Sequence, residues 1–75
     1  MLMKTHGWIA TDDSEPEFGK KVLVCTSFDG SRKIDVAEYD REYMTFVQYS
    51  RVDGKLALNR YGDIVTHWMP LPELP

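Results

Sequence analysis

What this 75-residue chain has little of sets the first limits on its structure. It has one cysteine, Cys25, so no internal disulfide can form, and a lone thiol fits a reducing compartment. No apolar stretch approaches the ~20 residues that a membrane-spanning helix needs. The N-terminus also lacks the apolar segment of a signal peptide. We therefore expect a cytoplasmic protein with no membrane partner.

Positive charge is scarce as well. The chain has 9 Lys and Arg against 12 Asp and Glu, which gives a formal net charge of −3 at pH 7. Proteins that bind nucleic acid usually carry a basic stripe on one face. The two basic pairs, Lys20-Lys21 and Arg32-Lys33, both have acids close by in the chain. We therefore expect no nucleic-acid partner.

Groups that could do chemistry are few and scattered. Among them are two histidines, one cysteine and the carboxylates of residues 12–17. The chain has no glycine-rich phosphate loop and neither H-E-x-x-H nor C-x-x-C spacing. We predict no catalytic residue, no cofactor and no metal site. A remote alternative is a small enzyme that uses Cys25 and His67 as a thiol–imidazole pair, but Cys25 lies in an apolar run and is expected to be buried.

Alternation of apolar and polar residues predicts a mainly β protein in one domain, residues 1–75, with residues 1–6 frayed. Asp29-Gly30 and Asp53-Gly54 are typical of tight hairpin turns. We predict a small antiparallel meander of five or six short strands, curled or barrel-like, with an extended Pro-rich C-terminal tail. The predicted strands cover residues 8–11, 21–28, 33–39, 43–52, 55–61 and 64–69.

The last dozen residues hold three of the four prolines and one of the two tryptophans. We expect Trp68 in the core, because its apolar area is too large to leave exposed in so small a domain, and His67 half exposed. Trp8 is predicted to stack on Pro70 or Pro72, so that the two termini form a clasp and removal of residues 69–75 lowers the melting temperature. Strict alternation places Ile64 and Thr66 on the side of Trp68, and Val65 and Met69 on the side of His67.

Tyrosines suggest a binding surface. Tyr43 and Tyr49 are predicted to share one face of the fourth strand, and together with His67 they are our candidate protein-binding residues, because tyrosine supplies contact area at low entropic cost. In the alternative, this face is the core and the face with Met44 and Phe46 is exposed. Either way, one face is more apolar than a small monomer requires, which favours a protein partner or a homodimer.

Several short motifs stand near the two ends of the chain. They are Trp8-Ile-Ala-Thr11, Pro16, Gly19, Val22-Leu-Val24 and the closing Val65-Thr-His-Trp-Met-Pro-Leu-Pro72. In these residues the chain resembles the small bacterial and bacteriophage proteins of domain of unknown function family 551. The resemblance spans nearly the whole chain, and the closing eight residues are its most specific part. It implies a small β-rich domain, often encoded by phages or prophages, and no established activity.

Together, the residues and the resemblance predict a non-catalytic, protein-binding module of phage or prophage origin. Its expected target is a host protein or a defence component that it inhibits. The alternative is a structural or oligomerising accessory protein without a dedicated target.

Overall fold

A computed structural model describes residues 7–72 and confirms a mainly β protein. The predicted β2 bounds are confirmed, and the other strands shift by one or two residues at their ends. The expectation that residues 1–6 are frayed lies outside the described residues. The elements are β1 (Ile9–Ala10), β2 (Lys21–Phe28), β3 (Ser31–Asp40), β4 (Thr45–Val52), β5 (Lys55–Arg60), a 3-10 turn (Gly62–Ile64) and β6 (Val65–Pro70).

The six strands form one open antiparallel sheet in the order β1-β6-β2-β3-β4-β5. The predicted meander is present from β2 to β5. The 3-10 turn then redirects the chain, and β6 returns to lie between β1 and β2. The last strand of the chain is therefore internal to the sheet, and its hydrogen bonds hold both ends of the domain together.

Both predicted Asp-Gly turns are present. Asp29 and Gly30 have φ of 50° and 79°, and Asp53 and Gly54 have φ of 52° and 77°. Each dipeptide is a complete two-residue loop, since the residues on either side of it are paired. Positive φ at both loop positions is typical of the turns whose twist matches that of the flanking strands.

One face of the sheet, here called the core face, holds the hydrophobic core. The ring of Tyr39 contacts Phe46 edge-on, with centroids 5.1 Å apart, and stacks on Phe18 at 5.5 Å. The segment between β1 and β2 closes this side, because the indole Nε1 of Trp68 donates to the Ser14 carbonyl at 2.9 Å. The buried cluster consists of Val22, Val24, Ala37, Tyr39, Phe46, Val65 and Trp68, with Ile9 and Tyr61 packed against it.

A β-bulge at Thr66 sets which side chains of β6 enter the core. Cys25 pairs with His67 but Thr26 pairs with Val65, so Thr66 is the extra residue. Its hydroxyl donates to the Cys25 carbonyl at 3.3 Å. Val65 and Trp68 consequently lie on the same face, at 5% and 8% exposure. The prediction of a buried Trp68 is confirmed, whereas the grouping of Val65 with His67 by strict alternation is wrong.

The predicted fourth strand begins too early. Met44 has φ of 53°, and the turn over residues 41–44 delays β4 until Thr45. Asp40 stabilises this turn, since its side chain accepts from the Tyr43 N–H at 2.9 Å and its carbonyl accepts from the Met44 N–H at 2.8 Å. Tyr43 is therefore not part of β4, and strand alternation does not relate it to Tyr49.

Candidate protein-binding face

The second face of the sheet, here called the open face, is unusually apolar. Strand register places the side chains of Leu23 and Val36 next to each other there, and does the same for Tyr49 and Leu58. A sheet with one solvated face normally shows polar residues on that face, yet Ile34 is 65% exposed here. The apolar side chains that the strands place on the open face are Leu23, Cys25, Ile34, Val36, Val47, Tyr49, Leu56, Leu58 and Met69.

Both candidate tyrosines reach the open face. Tyr49 projects from β4, and Tyr43 reaches the same face from the preceding turn. The guanidinium of Arg60, the cross-strand partner of Val47, lies 4.9 Å from the centroid of the Tyr43 ring. Each tyrosine is 43% exposed. The structure thus brings the two rings to one part of the surface by a route that strand alternation did not predict.

The electrostatic environment of the Tyr49 hydroxyl is partly set by acidic residues. Its pKa is raised above the usual value, first by partial desolvation and then by the carboxylates of Asp40 and Glu38. Tyr43 and Glu42 add smaller contributions of the same sign. This end of the open face therefore combines aromatic area with negative charge.

His67 lies on the other side of β3 from the tyrosines. It is the register partner of Cys25, and its Nδ1 lies 2.9 Å from the Thr66 hydroxyl. Cys25 is half-buried rather than buried as expected, because it points to the open face, where the Arg32 guanidinium donates to its sulfur at 3.5 Å. A recess of about 130 Å³ lies here, and its walls are Cys25, Arg32, His67 and Trp8.

The structure thus makes Cys25 and His67 register partners, while their side-chain hydrogen bonds go to Arg32 and Thr66. The prediction of no catalytic residue stays a prediction. Within residues 7–72, no group of three or more His, Cys, Asp and Glu side chains is arranged to hold a metal ion.

The residues of the predicted clasp fall in two places. β1 pairs with β6 through Ile9–Trp68 and Ala10–His67, so backbone hydrogen bonds join the two end strands. Pro70 and Trp68 line one recess together with Pro16, whereas Trp8 lines the recess beside Cys25. Stacking of Trp8 on Pro70 or Pro72 stays a prediction.

A polar cluster opens the sheet between β3 and β4. The ladder there has three residue pairs and ends at Glu38–Val47, whereas β2 and β3 are paired along eight. At the next position side chains replace the missing backbone partners. Gln48 Nε2 donates to the Val36 carbonyl at 2.9 Å, and Asp35 Oδ1 accepts from the Val36 N–H at 2.8 Å.

The same carboxylate is bound twice more. Gln48 Nε2 lies 2.9 Å from Asp35 Oδ1, and the Tyr61 hydroxyl donates to Asp35 Oδ2 at 2.8 Å. The hydrogen bond from Tyr61 holds the pKa of Asp35 below its usual value, against the opposing effect of burial. Burial and the bond to Asp35 raise the pKa of Tyr61. Asp35 therefore stays ionised and Tyr61 protonated at neutral pH. We call Asp35, Gln48 and Tyr61 the wedge, because they lie where the pairing of β3 with β4 ends.

Beyond the wedge, β3 and β4 are no longer paired. We call the gap between residues 31–36 of β3 and residues 49–52 of β4 the fork. A recess of about 310 Å³ lies at its closed end, with Val36, Glu38, Val47 and Tyr49 among its walls. Sequence reasoning missed this feature. Its one local signal is Asp35, an acid in the middle of a strand, where Asp is disfavoured.

In the described part of the chain, no helix is long and apolar enough to cross a membrane.

Comparison with known proteins places the chain in a family. Neither curated proteins nor solved structures gave a match. The family described as "Protein of unknown function (DUF551)" matches residues 7–75. Since that match covers nearly the whole chain and confirms the resemblance seen in the motifs, the protein belongs to this family.

Proposed function

We propose that the protein is a non-catalytic protein-binding module that uses its open face. The observation that carries this proposal is the apolar character of that face, with Ile34 and Leu56 at 65% and 64% exposure. A sheet of this kind buries its apolar faces against another layer. Within residues 7–72, no strand or helix lies over the open face, where Val47 alone is fully buried, so a partner is the natural second layer.

The part of the open face around Tyr43 and Tyr49 is the proposed centre of contact with the partner. Tyr43 and Tyr49 are rigid, half-exposed and amphipathic, which are the properties of residues that dominate binding energy at interfaces. Val47, on the same face beneath them in the sheet, is fully buried and gives this area a firm base. The nearby Glu38 and Asp40 favour a partner surface with positive charge. His67 is the outlying member of the set, across β3.

Phage or prophage origin is part of the proposal, and so is a bacterial target. The family resemblance supports the first, and a small module without its own chemistry acts by occupying a surface on another protein. We therefore propose a cytoplasmic role in which binding inhibits a host protein or a defence component.

The test is capture of partners from bacterial lysate with tagged protein. The Tyr43→Ala/Tyr49→Ala double variant should lose an enriched protein that the wild type retains. The matched control is Phe28→Ala/Val52→Ala, because these side chains are 68% and 57% exposed but lie on the core face. Equal capture by both variants would show that the open face is not the binding face.

An oligomerising accessory protein is the second candidate, because another copy of the chain could cover the same apolar face. Light scattering distinguishes the two. A dimer that Tyr49→Ala and Ile34→Ala together convert to a monomer would favour self-association. A monomer at high concentration with a captured partner would favour the binding module.

A further inference from the structure

The fork has two sides whose backbone direction follows from the hairpins. Residues that flank a two-residue loop exchange backbone hydrogen bonds. Phe28 and Ser31 are such a pair, so odd-numbered residues of β3 direct N–H and C=O groups towards β2 and even-numbered residues direct them towards β4. The contacts of Val36 agree, since both of its backbone groups meet side chains on the β4 side.

The same reasoning applies to β4. Val52 and Lys55 flank the second two-residue loop, so even-numbered residues of β4 bond to β5 and odd-numbered residues face β3. The Tyr61 N–H donates to the Phe46 carbonyl at 2.9 Å, which confirms this direction.

Besides Val36, whose backbone groups are bonded by side chains, four residues therefore direct backbone groups into the fork. They are Arg32 and Ile34 on β3, and Tyr49 and Arg51 on β4. Within the described range 7–72 the β3–β4 ladder stops at Glu38–Val47, so these groups have no ladder partner. Unpaired donors and acceptors along an extended strand are a template for another strand.

Charge is distributed unevenly along the fork. Its mouth lies between residues 29–34 and residues 49–55, which include Arg32, Lys33, Arg51 and Lys55 against Asp29 and Asp53. Glu38 and Asp40 stand near the closed end. In a chain with a net charge of −3, the mouth is a local concentration of positive charge.

We propose that the fork binds an extended peptide segment of a partner protein by β-strand addition. The segment pairs its main chain with the Arg32–Ile34 side or the Tyr49–Arg51 side, continues the apolar open face with alternate side chains, and carries acidic residues where it leaves the mouth. This inference rests on the proposed protein-binding function and names the kind of segment that binds.

The probe is an acetylated and amidated peptide, Glu-Glu-Val-Thr-Val-Thr-Val, titrated into ¹⁵N-labelled protein. A generic sequence is a fair probe, because main-chain hydrogen bonds carry the affinity in this binding mode. We expect saturable shifts at the amides of Ile34, Tyr49 or Arg51, and hydrogen exchange slowed about tenfold or more at the same amides. Replacing both glutamates with lysines should weaken binding about fivefold at low salt.

Two controls isolate the backbone. The same peptide with its five Val and Thr nitrogens methylated keeps the side chains but loses the donors, and it should produce no protection. On the protein, Ile34→Pro removes a donor of β3 that has no ladder partner, and it should lower peptide affinity about tenfold when the peptide shifts the Ile34 amide. Ile34→Ala keeps the donor and should change affinity less than about threefold. The methylated peptide decides the question even if Ile34→Pro does not fold.

Three results would overturn the inference. The first is no shift at about 2 mM peptide, a weak limit for specific binding. The second is shifts at Tyr43 and Glu38 without any at Ile34, Tyr49 or Arg51. The third is concentration-dependent protection of the fork amides in protein alone, which would mean that a second copy fills the fork. If lysate capture still depends on Tyr43 and Tyr49, the proposed function survives and only the fork assignment fails.

Discussion

The two halves of this one sheet are built differently. Around β2 and β6, side chains such as Val22 and Val24 are at 1% and 0% exposure, and β2 is paired on both sides. The β4–β5 hairpin, on the far side of the fork from β2, has no comparable core. No residue of β5 is buried, and Leu56 is 64% exposed. Similar strand-forming sequences thus give a packed half, held by its core, and an arm, held by hairpin hydrogen bonds and its Asp-Gly turn.

The wedge is the boundary between the two halves. It offers side-chain partners to Val36 in place of β4, so the backbone groups of Val36 are satisfied at the point where the ladder ends. The arm is then free of β3, and the described residues span 50 × 36 × 23 Å, an elongated shape for a small domain. The comparison of the two halves shows that the carboxylate of Asp35, with its hydrogen bonds satisfied, lies where the continuous pairing of the sheet ends.

Trp68→Ala should break the packed half. It removes the largest core side chain and the hydrogen bond to Ser14, so we expect the free energy of unfolding in urea to fall by about 3–5 kcal/mol. The control is Phe28→Ala, at 68% exposure, which should change it by less than about 0.5 kcal/mol. Equal losses in the two variants would contradict the burial of Trp68 in the core and the exposure of Phe28 outside it.

Tyr61→Phe should weaken the boundary. It leaves Asp35 Oδ2 without its tyrosine donor, so we expect a loss of about 1 kcal/mol in urea unfolding. Tyr43→Phe makes the same chemical change at a hydroxyl outside the wedge and should have little effect. A neutral Tyr61→Phe would mean that the wedge does not stabilise the sheet.

The pH dependence sharpens the same comparison. The pKa of Asp35 is lowered on folding, so its contribution is present above the unfolded value of about 4 and is lost as the pH falls from there towards the folded pKa. The pKa of Tyr61 is raised, so its contribution is present below about 10 and is lost as the pH rises towards the folded pKa. The stability difference between wild type and Tyr61→Phe should therefore shrink at both extremes. A constant difference from pH 2 to pH 7 would argue against a charged Asp35 in the wedge.

Leu56→Ala should have the smallest effect, because its side chain on the arm is already mostly in water. We expect a change of less than about 0.5 kcal/mol in the free energy of unfolding. A loss above about 2 kcal/mol, as from a core leucine, would show that the arm packs against something.

Much of the fold could be predicted because its signals are local. The Asp-Gly dipeptides and the flanking alternation define both hairpins, and the run Val22–Val24, apolar on both faces, indicates an internal strand. The position of β6 beside β2 could not be read this way, because it depends on pairs of residues that are 39 to 48 positions apart. The bulge at Thr66 then shifts the alternation of β6, which explains the error over Val65.

The candidate site was less predictable. Tyr49 could be identified as an exposed aromatic of a strand, but Tyr43 reaches the same surface only because Met44 adopts a positive φ. The wedge links Asp35 to side chains 13 and 26 positions away, so no local pattern contains it. Long-range polar contacts of this kind are decided by tertiary structure.

Amide hydrogen exchange along β3 in the free protein tests the division of the sheet most directly. Lys33 and Asp35 direct their amides to the β2 ladder, whereas Arg32 and Ile34 direct theirs into the fork. Our account predicts that exchange at Lys33 and Asp35 is about a hundredfold slower than at Arg32 and Ile34. Equal protection of the two sets at low protein concentration would show that β3 and β4 pair along their whole length, and would contradict the fork.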